Sequence, residues 1–151
     1  MIEPGADRDE WLALLELADE PVPLRGYLQQ GVLYGVRSVD DGHPSGAVLA
    51  IAWDDHTAEL RAVAVAEGKQ GTGLGSWLVA EVCDRLRASG TRRVVVGTAS
   101  SGTRQLAFYQ RLGFRLTHIE RDFFTDEKGY PADHAENGIP TRDMVWMDLS
   151  L

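Results

Sequence analysis

Cysteine is almost absent: Cys83 is the only one in 151 residues. No disulfide can form within the chain, which suits a reducing compartment. Because Cys83 falls inside a helical pattern, it reads as a small core residue rather than a nucleophile. No apolar run approaches the length of a membrane span. The opening residues, Met1 to Gly5, lack the basic and apolar regions of a secretory leader. A cytoplasmic location is the resulting expectation. Positive charge is scarce too, with 15 Lys and Arg against 23 Asp and Glu, a net charge of −8. Nucleic acid and anionic membrane surfaces need a basic patch, so neither is expected as a partner. A cationic small molecule such as an amine is compatible with the balance. Internal repeats, low-complexity tracts and linkers are also missing. His43, His56, His118 and His134 do not cluster with carboxylates at metal-ligand spacing, so no metal is expected. Hydrophobic content of 44% and this length predict one domain over 1–151 with a sizeable core.

Trp11 to Ala18 reads as a helix that starts near Asp7 or Asp9 and is ended by Pro21 and Pro23. Leu24 to Gln30 reads as a short second helix closed by Gly31. Three strands follow, Val32–Ser38, Ala47–Trp53 and Leu60–Val65. Short turns at Asp40-Asp41-Gly42 and Asp54-Asp55-His56 make them an antiparallel meander. Leu74, Leu78, Val82 and Leu86 then recur every four residues, widened by Trp77 and Cys83, and Gly90 supplies the C′ position. Arg93–Gly97 is a β-branched strand of the buried, parallel kind. Thr103–Leu112 is a helix, Phe114–Ile119 a strand, Thr125–Arg142 a polar stretch, and Met144–Leu149 a last strand. That order predicts an α+β (α/β three-layer) fold, a mixed central sheet flanked by helices. The strands on either side of the first long helix should run parallel. The last strand is a candidate for packing across a homodimer.

The most informative segment is the turn from Glu67 to Leu78, with Gly71, Gly73 and Gly75 spaced two apart. Glycine admits positive φ and lets the backbone approach a phosphate. The helix that follows adds N–H groups and a positive dipole end. A Walker A loop is excluded, because no Gly-x-x-x-x-Gly-Lys-Ser/Thr string exists. A dinucleotide fingerprint fits poorly: Ser76 fills its third glycine position, and the next strand ends in Gly97-Thr98 rather than an acid. Two readings stay open from the turn alone, a pyrophosphate cradle and a plain turn with glycines for tight packing.

About thirty residues later comes Phe108-Tyr109-Gln110-Arg111-Leu112-Gly113-Phe114. The pair Gln70-x-x-Gly73-x-Gly75 and Phe108-Tyr109-x-x-Leu112-Gly113-Phe114 resembles the GNAT superfamily of acyl-CoA-dependent N-acyltransferases. Outside that span, Asp122-Phe123-Phe124, Glu136-Asn137-Gly138-Ile139 and Arg142-Asp143-Met144 are similar to a small bacterial subgroup, as are Leu17-Ala18-Asp19 and Tyr27 to Gly31. The resemblance implies an acetyl-CoA-dependent N-acetyltransferase acting on a small amine or a peptide amino group. It also implies that two parallel strands splay apart around the coenzyme. Val63, Ala64 and Val65 would meet the pantetheine amides. Gln70, Gly71, Thr72, Gly73, Leu74, Gly75 and Ser76 would wrap the pyrophosphate, and Tyr109 would lie near the thioester sulfur. Thr72 stands where relatives often carry a lysine or arginine, leaving Lys69 as a substitute. Ser100 stands where many carry an asparagine, so Ser100 or Ser101 would cap the next helix and reach the cofactor.

Amine attack on a thioester needs a proton acceptor, a stabiliser for developing oxyanion charge, and a proton donor for the thiolate. Tyr109 suits the last role, since a phenol with pKa near 10 is protonated at neutral pH. Glu59 is the candidate base, with a water chain as its rival. Strand alternation predicts Glu59, Arg61 and Val63 on one face. His134 and the carboxylates Asp126, Glu127, Asp133 and Glu136 lie in the polar stretch, where they could draw a cationic acceptor or simply be solvated. The rival function on the same fold is a sensor or interaction module that binds acyl-CoA without turnover.

Overall fold

A computed structural model describes residues 8–151; the expected helix start at Asp7 lies outside them. A six-stranded sheet runs in the order β1-β2-β3-β4-β8-β5. Its first three strands, β1 (Val32–Arg37), β2 (Pro44–Ala52) and β3 (Thr57–Val65), form the expected antiparallel meander. β4 (Arg93–Ala99) then pairs parallel to β3. β8 (Met144–Ser150) is inserted antiparallel between β4 and β5 (Arg115–Glu120). The sheet is therefore mixed, as the element order predicts. β8 has both edges paired, so it is not free to pair across a dimer; β1 and β5 are the outer strands.

Helices cover both faces. On one, Leu78, Val79, Val82, Cys83 and Leu86 of α3 (Leu74–Ala88) pack with Val48, Ala50, Leu60, Val94 and Val96. Tyr109 of α4 (Thr103–Arg111) joins this cluster. Trp77, expected in the stripe, is instead 47% exposed. Cys83 is buried as expected, and burial pushes its thiol up to about 11. On the other face, α1 (Leu12–Leu15) and α2 (Pro21–Tyr27) bury Trp11, Leu15, Leu24 and Tyr27 against Leu33, Ala47 and Leu49. Each fully buried Leu or Val contributes about 1.5–3 kcal/mol relative to exposure. Among the described residues no helix is long and apolar enough to cross a membrane.

One local expectation fails for an identifiable reason, and another gains detail. Pro21 does not end the first helix but opens α2 at its first position, where a missing N–H costs nothing. The Thr125–Arg142 stretch holds a small hairpin, β6 (Ala135–Glu136) with β7 (Ile139–Pro140). Asn137 and Gly138, at φ 55° and 73°, make its turn.

Gly35 of β1 admits Trp11, because a Cβ there would lie 2.3 Å from the indole ring. Gly35→Ala is expected to cost about 1–3 kcal/mol in urea unfolding through overpacking. Gly26→Ala, in α2 with nothing near its Cβ position, should instead stabilise by up to about 1 kcal/mol.

Candidate active site

The site begins with a fault in strand pairing. β3 pairs with β4 only over Thr57↔Arg93, Ala58↔Val94 and Glu59↔Val95. Two residues further on, the β2 ladder slips: Leu49 faces Ala62 while Ala50 faces Leu60, leaving Arg61 as an extra residue. A bulge bends its strand and increases local twist, so β3 turns away from β4 where their pairing stops. The bulge also reverses alternation. Ala58 and Leu60 pack toward α3, whereas Ala62 and Ala64 pack toward α1 and α2. The predicted shared face of Glu59, Arg61 and Val63 is thereby corrected: Val63 turns to the α3 side and leaves the other two.

A cavity of about 430 Å³ opens in this gap. Leu60 to Val63 line one side, Gly97 to Ala99 another, and Tyr109 and Glu59 both face it. Among the expected coenzyme contacts on β3, Val63 lines this cavity and Ala64 and Val65 do not. Five carboxylates also line it, Glu16, Asp19, Glu20, Glu59 and Glu136, against one arginine, Arg61. Of the polar-stretch candidates, Glu136 and His134 line it, whereas Asp126, Glu127 and Asp133 do not; Tyr130 and Thr141 of the same stretch line it too. His134 Nδ1 sits 3.8 Å from Glu20.

Glu59 is buried, at 5% exposure, rather than lying on the strand surface. Trp53 Nε1 donates to its Oε2 at 2.9 Å, and Arg61 Nη1 to its Oε1 at 3.3 Å. Arg61 in turn lies 4.6 Å from the centre of the Tyr27 ring. Burial draws the Arg61 guanidinium down, but Glu59 and Tyr27 beside it more than offset this and hold it charged. Trp53 is legible in hindsight: Ile51 faces Glu59 across the hairpin, and Trp53, two residues on, shares that face.

Tyr109 is buried, with its ring edge-to-face against Phe108 at 5.0 Å and Phe114 at 5.5 Å. Burial alone pushes its phenol well above the usual value. No protein group accepts a hydrogen bond from its hydroxyl among the described residues, so the proton is available to something in the cavity.

The glycine turn is anchored at the end of β3, where Gln70 Nε2 donates to the Val65 carbonyl at 3.0 Å. Thr72 Oγ1 donates to the Lys69 carbonyl at 2.5 Å. Gly71 and Gly73 have φ of 74° and 88°, and Gly73 is the N-cap of α3. Nothing lies near a Cβ position at either, so conformation rather than packing selects glycine there. Trp77 N–H is the first to bond back into α3, at 3.0 Å to the Gly73 carbonyl. Among the described residues, the amides of Gly71 to Ser76 have no protein acceptor. Six adjacent free N–H groups at a helix start fit a diphosphate.

Ser100 and Ser101 behave differently from expectation. The N-cap of α4 is Gly102, with no side-chain cap. Ser101 is fully buried, with its Oγ 3.2 Å from Thr141 Oγ1, and its carbonyl accepts from Asn137 Nδ2 at 2.8 Å. Both serines thus tie β4 to the C-terminal segment, since Ser100 N–H bonds the Asp143 carbonyl at 2.9 Å. A further residue, Asp19, carries no sequence signal of its role. It accepts the Tyr27 hydroxyl at 2.7 Å and the Tyr130 hydroxyl at 3.0 Å, joining the α1–α2 turn to the far end of the chain.

The sequence model of the acetyltransferase (GNAT) family matches residues 7–114. The chain belongs to that family. A GNAT-family acetyltransferase from Elizabethkingia anophelis, solved with acetyl-CoA bound, superposes with a TM-score of 0.88 at 34% identity, covering 100% of this chain and 97% of that one. A Bacillus subtilis acetyltransferase solved with CoA gives 0.87 at 35% identity, covering 99% and 97%. Among curated proteins, the uncharacterized N-acetyltransferase YvbK of Bacillus subtilis is 35% identical, over 99% of this chain and 96% of its own. This GNAT member is an acetyl-CoA-dependent acetyltransferase, and its central sheet and flanking helices are the family's fold.

Burial, and for Tyr27 and Tyr130 also Asp19, raises four phenols of this GNAT protein: Tyr27, Tyr34, Tyr109 and Tyr130. Above about pH 10 the unfolded chain releases those protons while the folded chain keeps them. The unfolded state then binds fewer protons, so stability falls as pH rises. The urea midpoint should begin to fall at about pH 9, where only the unfolded chain releases the Cys83 proton, and fall more steeply beyond about pH 10, less so in Tyr109→Phe.

Proposed function

We propose that the acceptor is a primary amine, on a small molecule or a peptide, that enters the cavity beside Glu59 as its ammonium form. The observation that carries this reading is one cavity, opened where β3 leaves β4, faced by both a buried carboxylate and a buried phenol. Five carboxylates around it favour a cation over an anion at its mouth. Acetyl-CoA supplies the acetyl thioester. The amides of Gly71 to Ser76 hold its diphosphate, helped by the dipole of α3. Main-chain groups of β3 past Glu59 receive the pantetheine arm and the thioester oxygen, because the ladder to β4 has ended there.

Glu59 takes the ammonium proton. Trp53 and Arg61 fix both of its oxygens, yet each carboxylate oxygen has a second lone pair for the amine or an intervening water. Tyr109 donates its proton to the departing thiolate. Its raised pKa keeps the phenol protonated across the whole physiological range, which a donor requires.

Thiol release from acetyl-CoA across a panel of amines tests this. Tyr109→Phe keeps the ring packing and should lower kcat by about a hundredfold or more. Glu59→Gln should fall similarly, and its remaining rate should rise about tenfold per pH unit until the free amine predominates. Firm CoA binding without thiol release from any amine would favour the non-catalytic binder instead.

A further inference from the structure

A second cavity, of about 470 Å³, lies on the other side of Glu59 and Arg61. Those two residues, with Phe123 and Tyr130, line both cavities. The second one is walled by aromatic rings, Tyr27, Trp53, Phe123 and Tyr130. An aromatic enclosure often serves to hold an organic cation. Here two of the rings already carry the protein's own cations. Arg61 lies 4.6 Å from the centre of the Tyr27 ring, and Lys128 Nζ 3.8 Å from that of Phe123. The charged groups lining this cavity are Glu59, Arg61 and Lys128, one negative against two positive. Glu59 already receives a bond from Arg61, and Lys128 has no carboxylate partner among the described residues. The two cavities are thus opposite in sign, acidic where the amine reacts and basic behind it.

We propose that the second cavity holds the body of the acceptor, and that this body is flat, aromatic and carries an anionic group at the end away from the amine. The ring would stack among Trp53, Phe123 and Tyr130. The anionic end would be held by Lys128 and the outer edge of Arg61. The amine would reach past Glu59 into the first cavity. This assignment rests on the acetyl-transfer reading above, and Lys128 acts in it as a specificity residue rather than a catalytic one.

Naphthalene-2-carboxylate, which has no amine, probes the cavity separately from the reaction. It is titrated into the intact protein saturated with CoA, following Trp53 fluorescence with Trp53→Phe as the blank. Saturable binding is expected, about tenfold tighter than for neutral naphthalene-2-carboxamide, and that preference should vanish in Lys128→Glu. No saturable quench, equal affinity for acid and amide, or a preference that survives Lys128→Glu would each overturn the proposal. Thiol release with benzylamine and 4-(aminomethyl)benzoate separates the two levels. A higher kcat/KM for the benzoate supports the proposal. Equal values overturn it and leave acetyl transfer to amines standing. Turnover of neither amine counts against the acetyl-transfer reading, while naphthoate binding still decides what the cavity accepts.

Discussion

One extra residue in β3 organises this molecule. With Arg61 bulged, the strand bends away from β4 just after Glu59, and a parallel pair that begins in register ends as a cleft. Without it, β3 and β4 would continue their ladder and close the space that the cavity now occupies. The same residue places its guanidinium over Tyr27 and against Glu59. The irregularity therefore does two things together. It parts β3 from β4 where the first cavity opens and sets the charged pair that divides the two cavities.

The walls around that cleft come from distant parts of the chain, held by a few polar contacts. Asp19 binds Tyr27 and Tyr130, 111 residues from it in the second case. Asn137 reaches back to the Ser101 carbonyl, and Ser101 to Thr141. These bonds seat the C-terminal segment against the start of α4, beside Tyr109. For the buried members, Ser101, Tyr27 and Tyr130, such pairing avoids a desolvation penalty of about 1–3 kcal/mol each. They convert a loop of turn residues into a defined side of the site.

Much of this was legible in the residues themselves. The α3 stripe, the β-branched β4 and the meander turns announce the sheet and its helical cover, because period and turn chemistry act locally. Gly71 and Gly73 were legible as conformational glycines, and their positive φ bears that out. Glu59 was legible as a candidate but not as buried, since burial depends on Trp53 and Arg61 arriving from across a hairpin and a bulge. A bulge leaves no mark in composition, which is why strict alternation misplaced Val63. Ser101 looked like a cap from its position alone. Tertiary contacts with Asn137 and Thr141 claim it instead. The role of Asp19 in joining the α1–α2 turn to Tyr130 arises only from a contact between segments far apart in sequence.

The account stands or falls on the free amides at the start of α3. The direct measurement is the backbone amide spectrum of the 15N-labelled protein during titration with CoA. The amides of Gly71 to Ser76 should shift together and exchange more slowly with solvent as the coenzyme saturates. Saturation by CoA that leaves those six amides unshifted, with changes elsewhere on the surface, would contradict it.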